Sequence, residues 1–218
     1  MYEDFITPSG QAQLYLRMLH SASFAEQLRA EFTSTAHTLP DGLRALIATV
    51  DFERLRAEHD HRIGDFCTYL AKACPLHKAL VEEAMFCELA GAYCDSPDFV
   101  SFRGRTLAEN YALWGYRWLV NRGEGFLAEV LRIEGVASGL GHTLEAQTPW
   151  AEHRRLKRTL AEVFISKFDV FDADLEAADL SVVVERSRRS PSPTLVCITR
   201  HPDGRIFVTS RAYQRSSS

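Results

Sequence analysis

The 218 residues are 46% hydrophobic and 25% charged, which is typical of a soluble globular protein with a substantial core. No apolar run is long enough to span a bilayer, and the acidic opening MYEDFITPSG predicts no secretory signal. We therefore expect neither a membrane protein nor a secreted one, and assign the chain to the cytoplasm. Residues 1–149 carry thirteen Lys and Arg against twenty Asp and Glu, and residues 150–218 carry twelve against nine. The acidic first part argues against nucleic-acid binding there.

The first seventy residues predict a series of helices. Their starts are marked by Thr7-Pro8, Ser23 with Glu26, Pro40-Asp41-Gly42 and Asp51. The last of these helices is expected from Phe52 through Leu70. Residues 1–60 are expected to form a helical subdomain of a larger helical body.

Four of the five cysteines lie between residues 67 and 94. They are Cys67, Cys74, Cys87 and Cys94, at separations of 7, 13 and 7 residues. Structural zinc sites use closer pairs, so these residues predict small apolar side chains on buried helix faces. An odd number of cysteines without a secretion signal indicates reduced thiols.

The segment Glu58-His59-Asp60-His61 is rich in metal-ligand residue types. Two histidines separated by two positions on a helix point in divergent directions, so they do not easily hold one metal ion. A solvated helix end is favoured, and no cofactor is expected in this chain. An independent helical metalloenzyme that uses His59, His61 and the cysteines stays open as an alternative.

The stretch from residue 106 to residue 121, TLAENYALWGYRWLVN, predicts the central helix of the chain. Thr106 with Glu109 forms a capping box at its start. Apolar residues occupy two sides of this helix, which predicts that it is buried, and Arg117 lies on the narrow polar stripe that remains. Arg117 is therefore either a solvent-facing arginine or a charge directed into an interface.

A further helix is predicted from Phe126 to Val136, ended by Gly135, Gly139 and Gly141. Thr148-Pro149 then begins a basic helix. After it the composition changes to short β-branched and aromatic runs, namely VFISKFDVF, LSVVVER, TLVCITR and RIFVTSR.

The last two runs predict a β-hairpin, Thr194–Arg200 with Arg205–Arg211, because Pro202-Asp203-Gly204 between them is strong turn chemistry. The fold class is therefore α+β. We expect a helical body over residues 1–147, a small α+β domain over residues 148–211 that contains the hairpin, and a disordered tail over residues 212–218.

Three stretches together resemble one family. They are the helix pair around Tyr69, Cys74-Pro75-Leu76 and Phe86, the aromatic segment Leu113–Leu119, and the late hairpin with Pro202-Asp203-Gly204. In that order they are similar to the non-metal partner subunit of heterodimeric multinuclear non-heme iron enzymes, which modify ribosomally made peptides. The extra N-terminal helices favour the 3-thiaglutamate type over the methanobactin type.

The resemblance implies an accessory subunit that presents a cysteine-containing precursor peptide to an iron-binding barrel enzyme. The iron and its ligands would belong to that partner. The implied reaction is oxidative excision of the β-carbon from a C-terminal cysteine, with oxazolone and thioamide formation as the second choice. Neither nucleic acid nor membrane is an expected partner.

Two sets of residues follow as candidate sites. The partner interface is expected at Trp114, Tyr116, Arg117 and Trp118. The hairpin is expected to bind the peptide along an open strand edge, where alternate side chains share a face. Its candidate residues are Leu195, Cys197, Thr199, Arg200, Arg205 and Phe207, and Arg200, Arg205 and Arg211 would meet acidic residues of the peptide.

A different class of function stays open beside this one. The basic segments HRRLKR, residues 153–158, and RSRR, residues 186–189, are compatible with a stand-alone nucleic-acid or regulatory binding module. The nine acidic residues interspersed among the basic ones weigh against a dense basic face.

Overall fold

The structure is a computed structural model that describes residues 7–34, 40–101, 106–141, 161–168, 192–201 and 203–213. These residues are mostly helical, with a three-stranded antiparallel sheet near the C-terminus, which confirms the predicted α+β class. The helices are α1 Pro8–His20, α2 Ala22–Thr33, α3 Asp41–Ile47, α4 Phe52–Ala73, α5 Pro75–Leu80, α6 Glu83–Asp95, α7 Asp98–Ser101, α8 Leu107–Asn121 and α9 Gly125–Gly141. The strands are β1 Ala161–Ser166, β2 Thr194–Arg200 and β3 Ile206–Ala212.

The chain divides into two compact units. Unit 1 comprises Met1–Tyr69 and Phe86–Ser101, and unit 2 comprises Leu70–Met85 and Phe102–Ser218. The sheet thus belongs to the same unit as α5, α8 and α9. The domain boundary expected between residues 147 and 148 lies outside the described residues and stays a prediction. The disordered tail was expected from residue 212, which was wrong for the first two positions, because Ala212 ends β3 and the Tyr213 N–H donates to the Pro193 carbonyl. Residues 214–218 lie outside the described residues.

Helix starts in unit 1 follow local capping chemistry. The Thr7 hydroxyl accepts the Gly10 backbone N–H, and the Asp51 carboxylate accepts that of Arg54, as the sequence predicted. The cap of α2 was predicted two residues too late. Ser21, not Ser23, is the N-cap, and its buried hydroxyl accepts the Phe24 N–H at 3.1 Å.

The core of unit 1 joins α1, α2 and α3 through interlocking aliphatic and aromatic side chains. Its buried members are Leu14, Met18, Phe24, Leu28, Leu43 and Ile47. A second, aromatic cluster joins α4, α6 and α7, where Phe66 stacks on Tyr93 at 5.9 Å and both contact Phe99 edge-on. Together these two clusters bury the apolar faces that the sequence periodicity predicted.

Unit 2 is built around the close contact of α8 with α9. Gly135 and Gly139 lie inside α9, so the prediction that these glycines end the helix was wrong. Their lack of a side chain instead allows the two backbones to approach, because a Cβ at Gly135 would stand 2.1 Å from the Ala112 Cβ. The helix continues to Gly141 because packing against α8 outweighs the low helix propensity of glycine.

The sheet has the order β1-β2-β3, with β2 in the centre. The hairpin was predicted correctly, and its register pairs Cys197 with Thr209 and Arg200 with Ile206. Gly204 has φ +87°, a conformation that glycine adopts at low cost, and its N–H donates to the carbonyl of His201. The buried side chains Val196 and Ile198 face inward, and α9 packs against all three strands.

None of the described helices combines the length and the apolar composition that crossing a bilayer requires.

Candidate functional site

The two outer strands of the sheet each have an edge that no described strand pairs with. On the β2 side, the Tyr213 N–H donates to Pro193 O and the His201 N–H to Arg205 O, at 2.9 and 2.8 Å. Hydrogen-bonded pairs alternate along an antiparallel ladder, so the odd-numbered residues of β3 bond to β2. The N–H and C=O groups of the even-numbered residues, Ile206, Val208, Ser210 and Ala212, therefore point toward the outer edge.

The outer backbone groups of β1 follow from the same alternation. Thr194, Val196 and Ile198 bond to β1 because their odd-numbered neighbours bond to β3. The outer edge of β1 therefore presents the N–H and C=O groups of Ala161, Val163 and Ile165. Such an edge is a template for pairing with an extended segment.

A groove borders β1 within the described residues. It has a volume of about 320 Å³ and lies between β1, α8 and α9. Its apolar walls are formed by Leu113, Val136, Val163 and Phe164, and its polar lining by Glu109, Arg132 and Glu162. Val163 is 59% exposed, so this part of β1 lies at the surface of the described residues.

A buried acid holds the groove's arginine in place. The Arg132 guanidinium lies 4.0 Å from the Phe164 ring centroid and 3.6 Å from Glu129 Oε2. Glu129 also accepts from the Tyr116 hydroxyl and the Lys167 backbone N–H, both at 3.4 Å. Burial raises the pKa of the Glu129 carboxyl, and Arg132 opposes that shift. This cluster fixes the end of β1 against α8 and α9.

The structure brings five of the six predicted peptide-binding residues to one region. Leu195, Cys197 and Thr199 are half-buried on the outward face of β2, and Phe207 lies opposite Thr199 on β3. The Arg205 guanidinium is 5.6 Å from the Phe207 ring and pairs with Asp203 at 2.6 Å.

Arg200 is separated from that region. It is only 5% exposed and lies on the inward face, because it shares the period-two position of Val196 and Ile198. The prediction that Arg200 meets an acidic peptide at the surface is therefore not supported by its position. Among the predicted basic contacts, the exposed ones are Arg205 and Arg211.

The predicted interface residues on α8 do not share one face. Trp114 and Trp118 are half-buried neighbours, with ring centroids 6.3 Å apart, and the Arg122 guanidinium stacks 3.7 Å from the Trp118 ring centroid. Tyr116 points toward Glu129 on another side. Arg117 is the one exposed residue of these four.

The exposed face of α8 carries two apolar residues that the sequence interpretation placed in the core. Leu113 is 43% exposed and Val120 is 39% exposed, at four residues before and three residues after Arg117. That spacing puts all three on one helical face. The α8 helix is therefore buried on one side only, and the expectation of a helix buried on two sides was wrong. Leu113, Arg117 and Val120 form a surface that we call the α8 strip.

The residues of the alternative metal hypothesis do not converge. His59 Nε2 lies 3.2 Å from the backbone carbonyl of His20, and His61 is an exposed neighbour of Asp65. No three His, Cys, Asp or Glu side chains of the described ranges come close enough to hold one metal ion. None of the five cysteines forms a disulfide, and burial raises the pKa of Cys94 to about 12.

Comparison of the chain with protein-family models, with curated proteins and with solved structures gives no match. The basic segments of the nucleic-acid alternative, residues 153–158 and 186–189, lie outside the described residues.

Proposed function

We propose that this chain is an accessory subunit that holds an extended, cysteine-containing precursor peptide for an iron-dependent partner enzyme. The family resemblance supplies the chemistry of this proposal, and the partner would hold the iron. Oxidative excision of the β-carbon from a C-terminal cysteine is the reaction proposed for the complex. The chain's own part is to bind and orient the peptide.

The observation that carries the proposal is the outer edge of β1, which no described strand pairs with, beside an apolar groove. Backbone groups of Ala161, Val163 and Ile165 offer hydrogen bonds to an added strand, and the groove offers space for alternate side chains of that strand. Both features are needed, since main-chain pairing gives affinity and side-chain pockets give specificity. The hairpin edge at β3, which the sequence predicted, offers backbone groups of the same kind and is the alternative docking edge.

The strand spacing decides which hairpin residues a peptide would touch at the alternative edge. Adjacent strands lie about 4.8 Å apart, so a strand added to β3 has Phe207 and Arg211 as neighbours. Leu195 and Cys197 lie one strand further away. Peptide binding at β3 would therefore depend on Phe207, Arg211 and Arg205 rather than on β2.

Proline substitution tests the two edges against each other. Val163→Pro removes an outward N–H from β1 and Val208→Pro removes one from β3, and neither N–H belongs to the ladder with β2. The probe is a short peptide with a C-terminal cysteine, the substrate class that the proposal names, labelled with a fluorophore. We expect Val163→Pro to weaken its binding at least about tenfold and Val208→Pro to leave it unchanged.

If Val208→Pro weakens peptide binding and Val163→Pro does not, the docking site lies at the β3 edge of the hairpin. Equal affinity of both variants and the parent would reject strand addition as the mode of binding. The gene neighbourhood gives an independent check, because the proposal requires an iron-binding barrel protein and a cysteine-containing peptide to be encoded nearby.

A further inference from the structure

Unit 1 contains a cavity that the proposed function does not use. It has a volume of about 380 Å³ and lies where the end of α1, the start of α2 and the first half of α4 meet. Met18, Phe52 and Leu55 are among its apolar walls, and Glu26, Arg56 and His59 line it with polar groups. This size and this combination of apolar walls with few polar groups are typical of small-molecule sites.

Arg56 differs from the other arginines of unit 1. Among the described residues of this unit, each of the others has an ion pair or an aromatic ring as a partner. These pairs are Arg17 with the Phe24 ring at 4.0 Å, Arg29 with Glu53 at 3.0 Å, Arg44 with the Phe32 ring at 5.9 Å, Arg54 with Glu58 at 3.0 Å and Arg62 with Glu58 at 2.9 Å. Arg56 has neither kind of partner within the described part of unit 1, and it lines the cavity.

A glutamate on the facing helix also lacks a partner among the described residues. Glu26, on α2, lines the cavity and has no hydrogen bond or ion pair to any described residue. The other polar residues of the lining are Ser23 and His59, and His59 is held in place because its Nε2 is 3.2 Å from the His20 carbonyl oxygen. The cavity therefore combines apolar walls with one cation and one anion that do not neutralise each other.

We propose that this cavity binds a zwitterionic amino acid with a large apolar side chain. Arg56 would pair with the carboxylate, Glu26 with the ammonium group, and Met18, Phe52 and Leu55 would contact the side chain. A purely anionic apolar ligand would face Glu26, and a purely cationic one would face Arg56. Only a ligand with both charges matches both side chains. This site is independent of the peptide-docking edge.

Isothermal titration of the full-length protein tests the assignment. The probes are L-phenylalanine, N-acetyl-L-phenylalanine, which lacks the ammonium charge, and L-phenylalaninamide, which lacks the carboxylate. We expect L-phenylalanine to bind at least about tenfold more tightly than either derivative. Arg56→Gln should weaken L-phenylalanine binding about tenfold and leave the amide unaffected, while Glu26→Gln should do the same with the acetyl derivative as the unaffected probe.

Arg54→Gln is the matched control, since it removes an arginine from the same helix outside the cavity. An equal loss in this variant would overturn the proposal, and so would equal binding of all three probes or no binding of L-phenylalanine at millimolar concentration. Circular dichroism of each variant establishes that the helices are intact, so that a loss of binding is assigned to the removed charge.

Discussion

Gly135 of α9 and Ala112 of α8 are in contact so closely that a methyl group at residue 135 would stand 2.1 Å from the Ala112 Cβ. Neither Cβ can move without its backbone. Gly135→Ala is therefore expected to force the two helices apart and to lower the free energy of unfolding by about 1–3 kcal/mol. Urea denaturation measures this loss.

Gly64→Ala is the control with the opposite expected sign. Gly64 lies within α4, and a Cβ there would meet nothing within 4 Å. Because alanine has the higher helix propensity, this variant should gain up to about 1 kcal/mol. A stabilised Gly135→Ala protein would show that α8 and α9 are not packed at this distance.

The contact between Gly135 and Ala112 also separates the features that the sequence predicted from those that it did not. Local chemistry predicted the caps at Thr7, Asp51 and Thr106 and the turn at Gly204, because each depends on neighbours within a few residues. The role of Gly135 depends on a helix more than twenty residues away, so local pattern wrongly assigned it to a helix end.

The candidate site was predictable to a similar extent. Period-two alternation correctly separated Leu195, Cys197 and Thr199 from Val196 and Ile198 on β2. It could not tell which of the two faces covers the core, so the burial of Arg200 was missed. Helical periodicity placed Leu113 and Val120 on one side of α8, yet it could not tell a buried side from an exposed one. The groove at β1 joins three elements, and its residues carry no sequence signal together.

Glu134 and His77 are expected to give opposing pH dependences. The Glu134 carboxylate accepts the backbone N–H groups of Leu76 and His77, both at 2.7 Å, and burial raises its pKa from 4.5 to about 7. Its stabilising contribution is complete below pH 4.5 and is lost as the pH rises through 7. Burial lowers the pKa of His77 from 6.5 to about 4, so its contribution is complete above pH 6.5 and is lost as the pH falls through 4.

Glu134→Gln separates the two effects. In the parent, Glu134 and His77 change the unfolding free energy in opposite directions between pH 4.5 and pH 6.5. The variant keeps only the pH dependence that His77 contributes. The stability of Glu134→Gln should therefore rise with pH over this window more steeply than that of the parent, by at most about 1.4 kcal/mol per pH unit. Urea denaturation at several pH values measures the difference, with the exposed Glu82→Gln as control. Parallel curves for the parent and Glu134→Gln would contradict the assignment.

Ser21 is expected to matter more than Ser23, although both precede the apolar face of α2. The Ser21 hydroxyl is buried, accepts the Phe24 N–H and donates to Asp95 at the end of α6. Ser21→Ala should cost about 0.5–2 kcal/mol of unfolding free energy, the usual range for a lost N-cap. Ser23→Ala, at an exposed position, should change it by less than about 0.5 kcal/mol. Equal losses of stability in the two variants on thermal denaturation would contradict the assignment of Ser21 as the N-cap.

The α8 strip is the surface expected to contact the proposed iron-binding partner. Leu113 and Val120 expose apolar area on both sides of Arg117, and arginine beside apolar groups is the usual composition of an interface centre. Leu113 also lines the groove at β1, so the test leaves it unchanged. Because the other two side chains are at the surface, Arg117→Ala and Val120→Ser should each keep the unfolding free energy of the isolated chain within about 1 kcal/mol. Each should nevertheless reduce co-purification with the proposed iron-binding partner. Tyr15→Ser, which removes a similarly exposed apolar side chain from unit 1, is the control and should co-purify normally. If the strip variants bind the partner as tightly as the parent does, the interface lies elsewhere.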